Sequence, residues 1–169
     1  MRILLISIFL FSFSHAQSGL LDVVWPKPNL KQQKPSIPYP SVLTQGIKNT
    51  ALPIYIPSNY AYDKKMIVVA EQNFYAISFL LDGAIINISG DKTYQETISS
   101  ENPEFSAITK NTAPVEYNKA EGIVTANFNK HNVNYILSIE CDDPESDQRC
   151  TISMVSTLYS KLIMVGGKQ

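Results

Sequence analysis

Three apolar runs separated by two short turns constrain this chain more than any other feature. Met66–Ala70, Phe74–Leu81 and Ala84–Ser89 are rich in Ile, Val, Phe and Leu, side chains that suit a pleated, half-buried surface. Gln72-Asn73 separates the first two runs and Asp82-Gly83 the second two. Asp-Gly is a favoured dipeptide of the two-residue type I′ hairpin. Runs this short, joined by turns this tight, fold back on themselves as an antiparallel meander.

A second set of strands is expected downstream. Val115–Tyr117 and Gly122–Phe128 read as strands, Asn129–Asn132 as a polar turn, and Val133–Cys141 as a longer strand. In that strand Val133, Tyr135, Leu137 and Ile139 fall on one side and Asn134, Ser138 and Glu140 on the other. Ile136 breaks the alternation, an aliphatic residue on the polar side. Upstream, Leu52–Pro57 is a short extended piece whose prolines suit a sheet edge, and Ser58–Lys65 is a polar turn region. The stretch from Gly90 to Pro114 is polar, with one short helix expected at Thr93–Ser99. Near the end, Ile152, Val155, Leu158, Tyr159, Leu162 and Ile163 recur at helical spacing. Gly166-Gly167 is then expected to end that helix, because glycine accepts a left-handed C′ conformation. The fold class expected is α+β: a small twisted antiparallel sheet, a meander plus a second hairpin, with a C-terminal helix packed on one face. Residues 52–169 supply one core and not two.

The first 51 residues read differently. Arg2 is followed by the largely apolar run Ile3–Phe13 and then by Ser14-His15-Ala16. A short apolar core followed by a small-x-small site is a secretory signal pattern, so residues 1–16 are expected to be removed before Gln17. The run is well short of the ~20 residues a membrane-spanning helix needs, and no later segment reaches that length. Residues 17–51 form a proline-rich tail containing Pro26, Pro28, Pro35, Pro38 and Pro40. Proline fixes φ and removes a donor, so neither helix nor central strand is expected through the tail. A chain starting near Thr50 is accordingly expected to fold and melt much as the longer one does. Leu20, Leu21, Val23, Val24 and Trp25 are unusually apolar for such a tail. They either pack back onto their own domain or form a docking segment for a partner.

Without residues 1–16 the chain carries 13 Lys+Arg against 15 Asp+Glu, a net charge of −2. That balance argues against nucleic acid, whose binders present a basic patch or stripe. The two cysteines, Cys141 and Cys150, are expected to form a disulfide, as an even count in an exported chain implies. A metal pair would need two further ligands, and neither Cys nor His stands nearby to supply them.

Chemistry is hard to build from this sequence. The chain contains none of G-x-x-x-x-G-K-[ST], G-x-G-x-x-G or H-E-x-x-H, which removes the commonest phosphate, dinucleotide and zinc-protease signatures. It also lacks the G-x-S-x-G elbow that exposes a serine nucleophile. Beyond the signal there is one histidine, His131, in the polar turn. Asp142, Asp143, Glu145 and Asp147 form a carboxylate cluster between the cysteines, but its spacing matches no EF-hand. Asp147 is expected to cap the following helix. Asn87-Ile88-Ser89 is an N-glycosylation acceptor in a eukaryote, although it falls in a strand. No cofactor and no metal is expected.

Tyrosine, with an apolar ring and a polar tip, is enriched at interfaces. Tyr75 and Tyr135 are explained by their strands, whereas Tyr55, Tyr60 and Tyr62, beside prolines, suit an exposed binding surface. These features lead to the expectation of a non-enzymatic binding or adaptor protein, periplasmic in a Gram-negative cell and otherwise secreted. Its expected partner is another protein of the envelope or extracellular space. Two alternatives stand beside it: an inhibitor or immunity protein against an exported enzyme, and a hydrolase with an unrecognised site. A flat tyrosine-rich face would favour the binder and a rigid protruding loop at Asp142–Arg149 the inhibitor. A pocket with paired carboxylates, or His131 beside Ser and Asp, would favour the hydrolase.

Overall fold

The computed structural model describes residues 18–27, 37–95 and 114–168. The expected signal, its cut before Gln17 and residues 96–99 of the expected short helix lie outside the described residues. The elements in chain order are β1 (Ser18–Leu20), α1 (Ser41–Gly46), β2 (Ile54–Pro57), a 3-10 turn (Ser58–Tyr60), β3 (Ile67–Ala70), β4 (Phe74–Leu81) and β5 (Ala84–Asp91). Then come β6 (Thr93–Gln95), β7 (Glu116–Ala120), β8 (Ile123–Lys130), β9 (Val133–Cys141), α2 (Ile152–Ser160) and β10 (Leu162–Gly166).

The expected meander forms β3, β4 and β5, and a second antiparallel set forms β7, β8 and β9. The two sets join through β5 and β9 into one six-stranded antiparallel sheet of order β3-β4-β5-β9-β8-β7. The hairpins are tight because their turn residues accept the backbone they need. Glu121-Gly122 and His131-Asn132 both place their two central residues at positive φ, the type I′ geometry whose twist matches the strands it joins. Asp82-Gly83 also links its strands in two residues, Leu81 pairing with Ala84. There only Gly83 takes a positive φ, so that turn is not the type I′ its dipeptide suggests.

One face of the sheet is the core. Tyr75, Ile77 and Phe79 of β4, Ile86 and Ile88 of β5, Val124 and Ala126 of β8, and Tyr135, Leu137 and Ile139 of β9 are all buried. Three elements cover them. α1 lies over β3, its Gly46 against the Val68 side chain. α2 buries Val155 and Leu158 over β8 and β9. Between them runs an antiparallel ribbon of β2 and β10, with Leu162 opposite Pro57 and Ile163 opposite Ile56.

That ribbon and α1 correct two expectations. The C-terminal helix ends at Ser160, and residues 162–166 are a strand paired with β2. Leu162 and Ile163 continue the helical spacing, but the β2 ladder offers their backbone a partner that the local pattern does not reveal. Gly167 takes a positive φ beyond that strand and not at a helix end. The tail, likewise, is not free of helix: Ser41–Gly46 is helical immediately after Pro40, which stands at the N-cap. The prolines all precede that helix, and a proline at a helix start removes no intrahelical hydrogen bond. Leu43 and Ile47 are buried in the core, so the tail does not end at residue 51 as a separate piece. Residues 93–95, expected to be helical, form β6 and pair with β1.

Candidate functional site

Three tyrosines meet where the ribbon crosses the sheet. Tyr75 and Tyr135 project from neighbouring strands on either side of Gly90, and a Cβ on Gly90 would lie 2.5 Å from one ring and 2.8 Å from the other. The missing side chain is what lets both rings lie down. Their hydroxyls satisfy the ribbon's backbone. Tyr75 donates to the Tyr55 carbonyl at 3.1 Å and accepts from the Tyr55 N–H at 3.0 Å, and Tyr135 donates to the Pro53 carbonyl at 2.8 Å. Burial pushes the ionisation of both phenols well above the ordinary tyrosine range.

Tyr55 itself is only 5% exposed, which corrects the expectation that it belongs to an exposed surface. The β2 strand turns it inward to stack edge-on against Tyr135. Its hydroxyl lies 2.8 Å from His131 Nε2, and the Lys130 ammonium sits 4.4 Å above its ring. Burial pushes the Tyr55 phenol up to about 12. Burial first, and then the neighbouring Lys130 charge, hold His131 below the usual imidazole range, partly offset by a hydrogen bond to the Val24 backbone. Both shifts favour neutral groups, so a neutral phenol and a neutral imidazole share this hydrogen bond. A phenol held neutral is poorly suited to act as a base, and His131 here is paired with Tyr55 rather than with a serine and an aspartate.

The apolar segment of the tail lies against this same end of the sheet. The Leu21 N–H donates to the Lys92 carbonyl at 2.7 Å and the Val24 N–H to the His131 carbonyl at 3.0 Å. Asn132 Nδ2 donates to the Asp22 carbonyl at 3.0 Å. Val23 packs on the core, and the Trp25 ring and the Leu52 carbonyl both lie against Gly167. Leu20 and Val24 remain exposed, while Leu21, Val23 and Trp25 are half-buried. Of the two readings of this segment, its backbone and two of its side chains thus belong to its own domain. Tyr62 is exposed, its ring against Tyr39, and half-buried Tyr60 packs on Phe79. The candidate residues therefore do not converge on one surface.

Cys141 and Cys150 are disulfide-bonded, tying the end of β9 to the residue before the α2 cap. Asp147 does not cap α2. Its carboxylate takes both arms of the Arg149 guanidinium, at 2.9 and 2.6 Å, and Thr151 caps the helix by accepting from the Met154 N–H. A hydrogen bond from Ser146 holds Asp143 below the usual carboxylate range, and the Arg149 side chain does the same for Asp147. The loop is braced and laid down rather than protruding. Arg149 donates to the Asp82 carbonyl at 2.7 Å, the Asp142 N–H to the Gly83 carbonyl at 3.0 Å, and Pro144 sits against Gly122. Among the described residues no group of three or more His, Cys, Asp or Glu is placed to hold a metal ion. None of the described helices is long and apolar enough to cross a membrane.

The surface that sequence reading overlooked is the other face of the six-stranded sheet. The strand register sets its side chains in rows. Ile67, Ser78, Asn87, Ser138, Thr125 and Asn118 form one row across all six strands. Val69, Ala76, Ser89, Ile136, Asn127 and Glu116 form the next. Among the described residues nothing packs over it: Ile67, Val69, Leu80, Ile85 and Ile136 are between 37% and 56% exposed. Ile136, the residue that breaks the β9 alternation, stands near the middle. Two polar pairs form here, Ser78 donating to Asn87 at 2.5 Å and Asn129 Nδ2 to Asn134 at 3.0 Å, while Asn129 Oδ1 is left without a partner. Asn87 of the glycosylation acceptor lies in this face. Strand spacing of about 4.8 Å and central strands about 27 Å long give a surface of the order of 600 Å². Comparison with known proteins finds no matching family model, no matching curated protein and no matching solved structure.

Proposed function

We propose that this chain is an exported, non-enzymatic binding protein. The observation that carries the reading is the open sheet face, with five large aliphatic side chains in water beside uncharged Ser, Thr and Asn. An antiparallel sheet that merely faces solvent alternates apolar-in with polar-out. Exposed apolar surface gathered on one face marks interaction sites. An extended open sheet face suits a protein surface better than a small molecule, which binds in concave sites. Export is supported by the signal pattern at residues 1–16 and by the disulfide, a bond that persists in oxidising compartments.

The test is the size of the native assembly. In a gentle extract of the cells that make it, the chain should elute from a sizing column together with a second protein. Ile136→Lys, which changes no core contact, should return it to the position of a single copy. Elution of the unaltered chain as a single copy contradicts the proposal.

A further inference from the structure

We propose that the open face docks an apolar protein surface rimmed by lysine or arginine. This inference rests on the binding reading above and deepens it. Every charged side chain that the six strands place on this face is acidic: Asp91 at one end of β5, Glu140 toward the opposite end of β9, and Glu116 on the edge strand β7. Lys119 and Lys130, the cations of β7 and β8, alternate onto the other side, where Lys130 caps the Tyr55 ring. Between the three carboxylates the face is uncharged. That is the anatomy of an interface, a core depleted of charge inside a polar rim. The sign of the rim then selects the partner, because like charges brought together across an interface are costly and opposite ones steer encounter.

A second copy is disfavoured, because it would bring an acidic rim against an acidic rim with no cation on either face. Polar groups within the patch are partly satisfied before contact, through the Ser78–Asn87 and Asn129–Asn134 pairs. The remaining polar groups of the patch then need hydrogen-bond partners on the docked surface. Its area, of the order of 600 Å², approaches the ~800 Å² that one partner gives to a standard interface.

The experiment places a photoreactive benzophenone side chain at Ile136 of the full exported chain, with a second version carrying it at Tyr62. Irradiation in a gentle native extract is followed by sequencing of the crosslinked peptide. The expected product is an adduct at position 136 whose partner peptide is apolar and flanked by Lys or Arg. Reversing the rim with Glu116→Lys and Glu140→Lys should lower its yield at least tenfold at low salt, with an unchanged melting temperature. The unaltered rim should itself lose yield severalfold at 0.5 M salt, where exposed charges more than about 4 Å apart are largely screened. An adduct formed with this chain's own peptides, or a yield indifferent to both rim reversal and salt, overturns the inference. An adduct at Tyr62 with none at Ile136 leaves the chain a binding protein and overturns the open face as its surface. Adducts at neither position overturn both.

Discussion

At the scale of single residues, two positions carry more than their neighbours. Gly90 is the space into which the Tyr75 and Tyr135 rings fold. Gly90→Ala forces both rings from their seats and is expected to cost about 2 kcal/mol, in the range of core overpacking. Urea denaturation measures it. His131 gives the fold a pH dependence. In the folded chain its imidazole is held below the usual range, while in the unfolded chain it titrates near 6.5. As pH falls through that value the unfolded state takes up the proton more readily, so stability present at neutral pH is lost toward pH 5. Melting curves at pH 7.5 and pH 5 should show this drop, and His131→Gln should make it smaller. Asp143 and Asp147 are held below the ordinary carboxylate range and do not contribute in that window. These roles are unequally legible in the sequence. Ile136 announces itself by breaking an alternation. The Gly90 notch, by contrast, depends on which residues stand opposite it on two other strands, and no local pattern states that.

At the scale of elements, what the sequence makes plain is what is local. The three apolar runs and their turns specify β3–β5, and the clean alternation of Val133–Cys141 specifies β9. The end of α2 is not local. Leu162-Ile163-Met164-Val165 is a short apolar run compatible with either period, and its strand partner lies about a hundred residues upstream. The Asp147 cap fails for a related reason. Arg149 and Thr151 compete for the two roles, and the guanidinium takes the carboxylate while the hydroxyl takes the helix. The disulfide joins two of these elements. Replacing both cysteines by alanine releases a ten-residue ring and is expected to cost about 2.7 kcal/mol by the chain-entropy relation. The denaturant midpoint of the double variant checks it. Thiol labelling of the unfolded, unreduced protein should find neither Cys141 nor Cys150 free.

At the scale of the whole molecule, the tail is part of the domain. The proline count hides this, because it describes residues 26–40 and says nothing of Leu43, buried in the core, or of Ile47 and Trp25, which lie against Gly166 and Gly167 at the far end of the chain. A chain beginning at Thr50 loses α1 and the segment bonded to Lys92 and His131. It should be less stable by about 3 kcal/mol or more, the scale of deleting a buried leucine. An unchanged melting temperature would show that α1 and the apolar segment are dispensable. With the tail occupied in the fold, the open sheet face becomes the larger candidate surface, and the two can be told apart by one footprint. Aliphatic and aromatic side chains are labelled by hydroxyl radicals in the purified chain and in its native assembly. In the assembly Ile67, Val69 and Ile136 should be protected, with Leu20, Val24 and Tyr62 labelled equally in both. Protection of Leu20, Val24 and Tyr62, with the open face labelled as in the free chain, would contradict it.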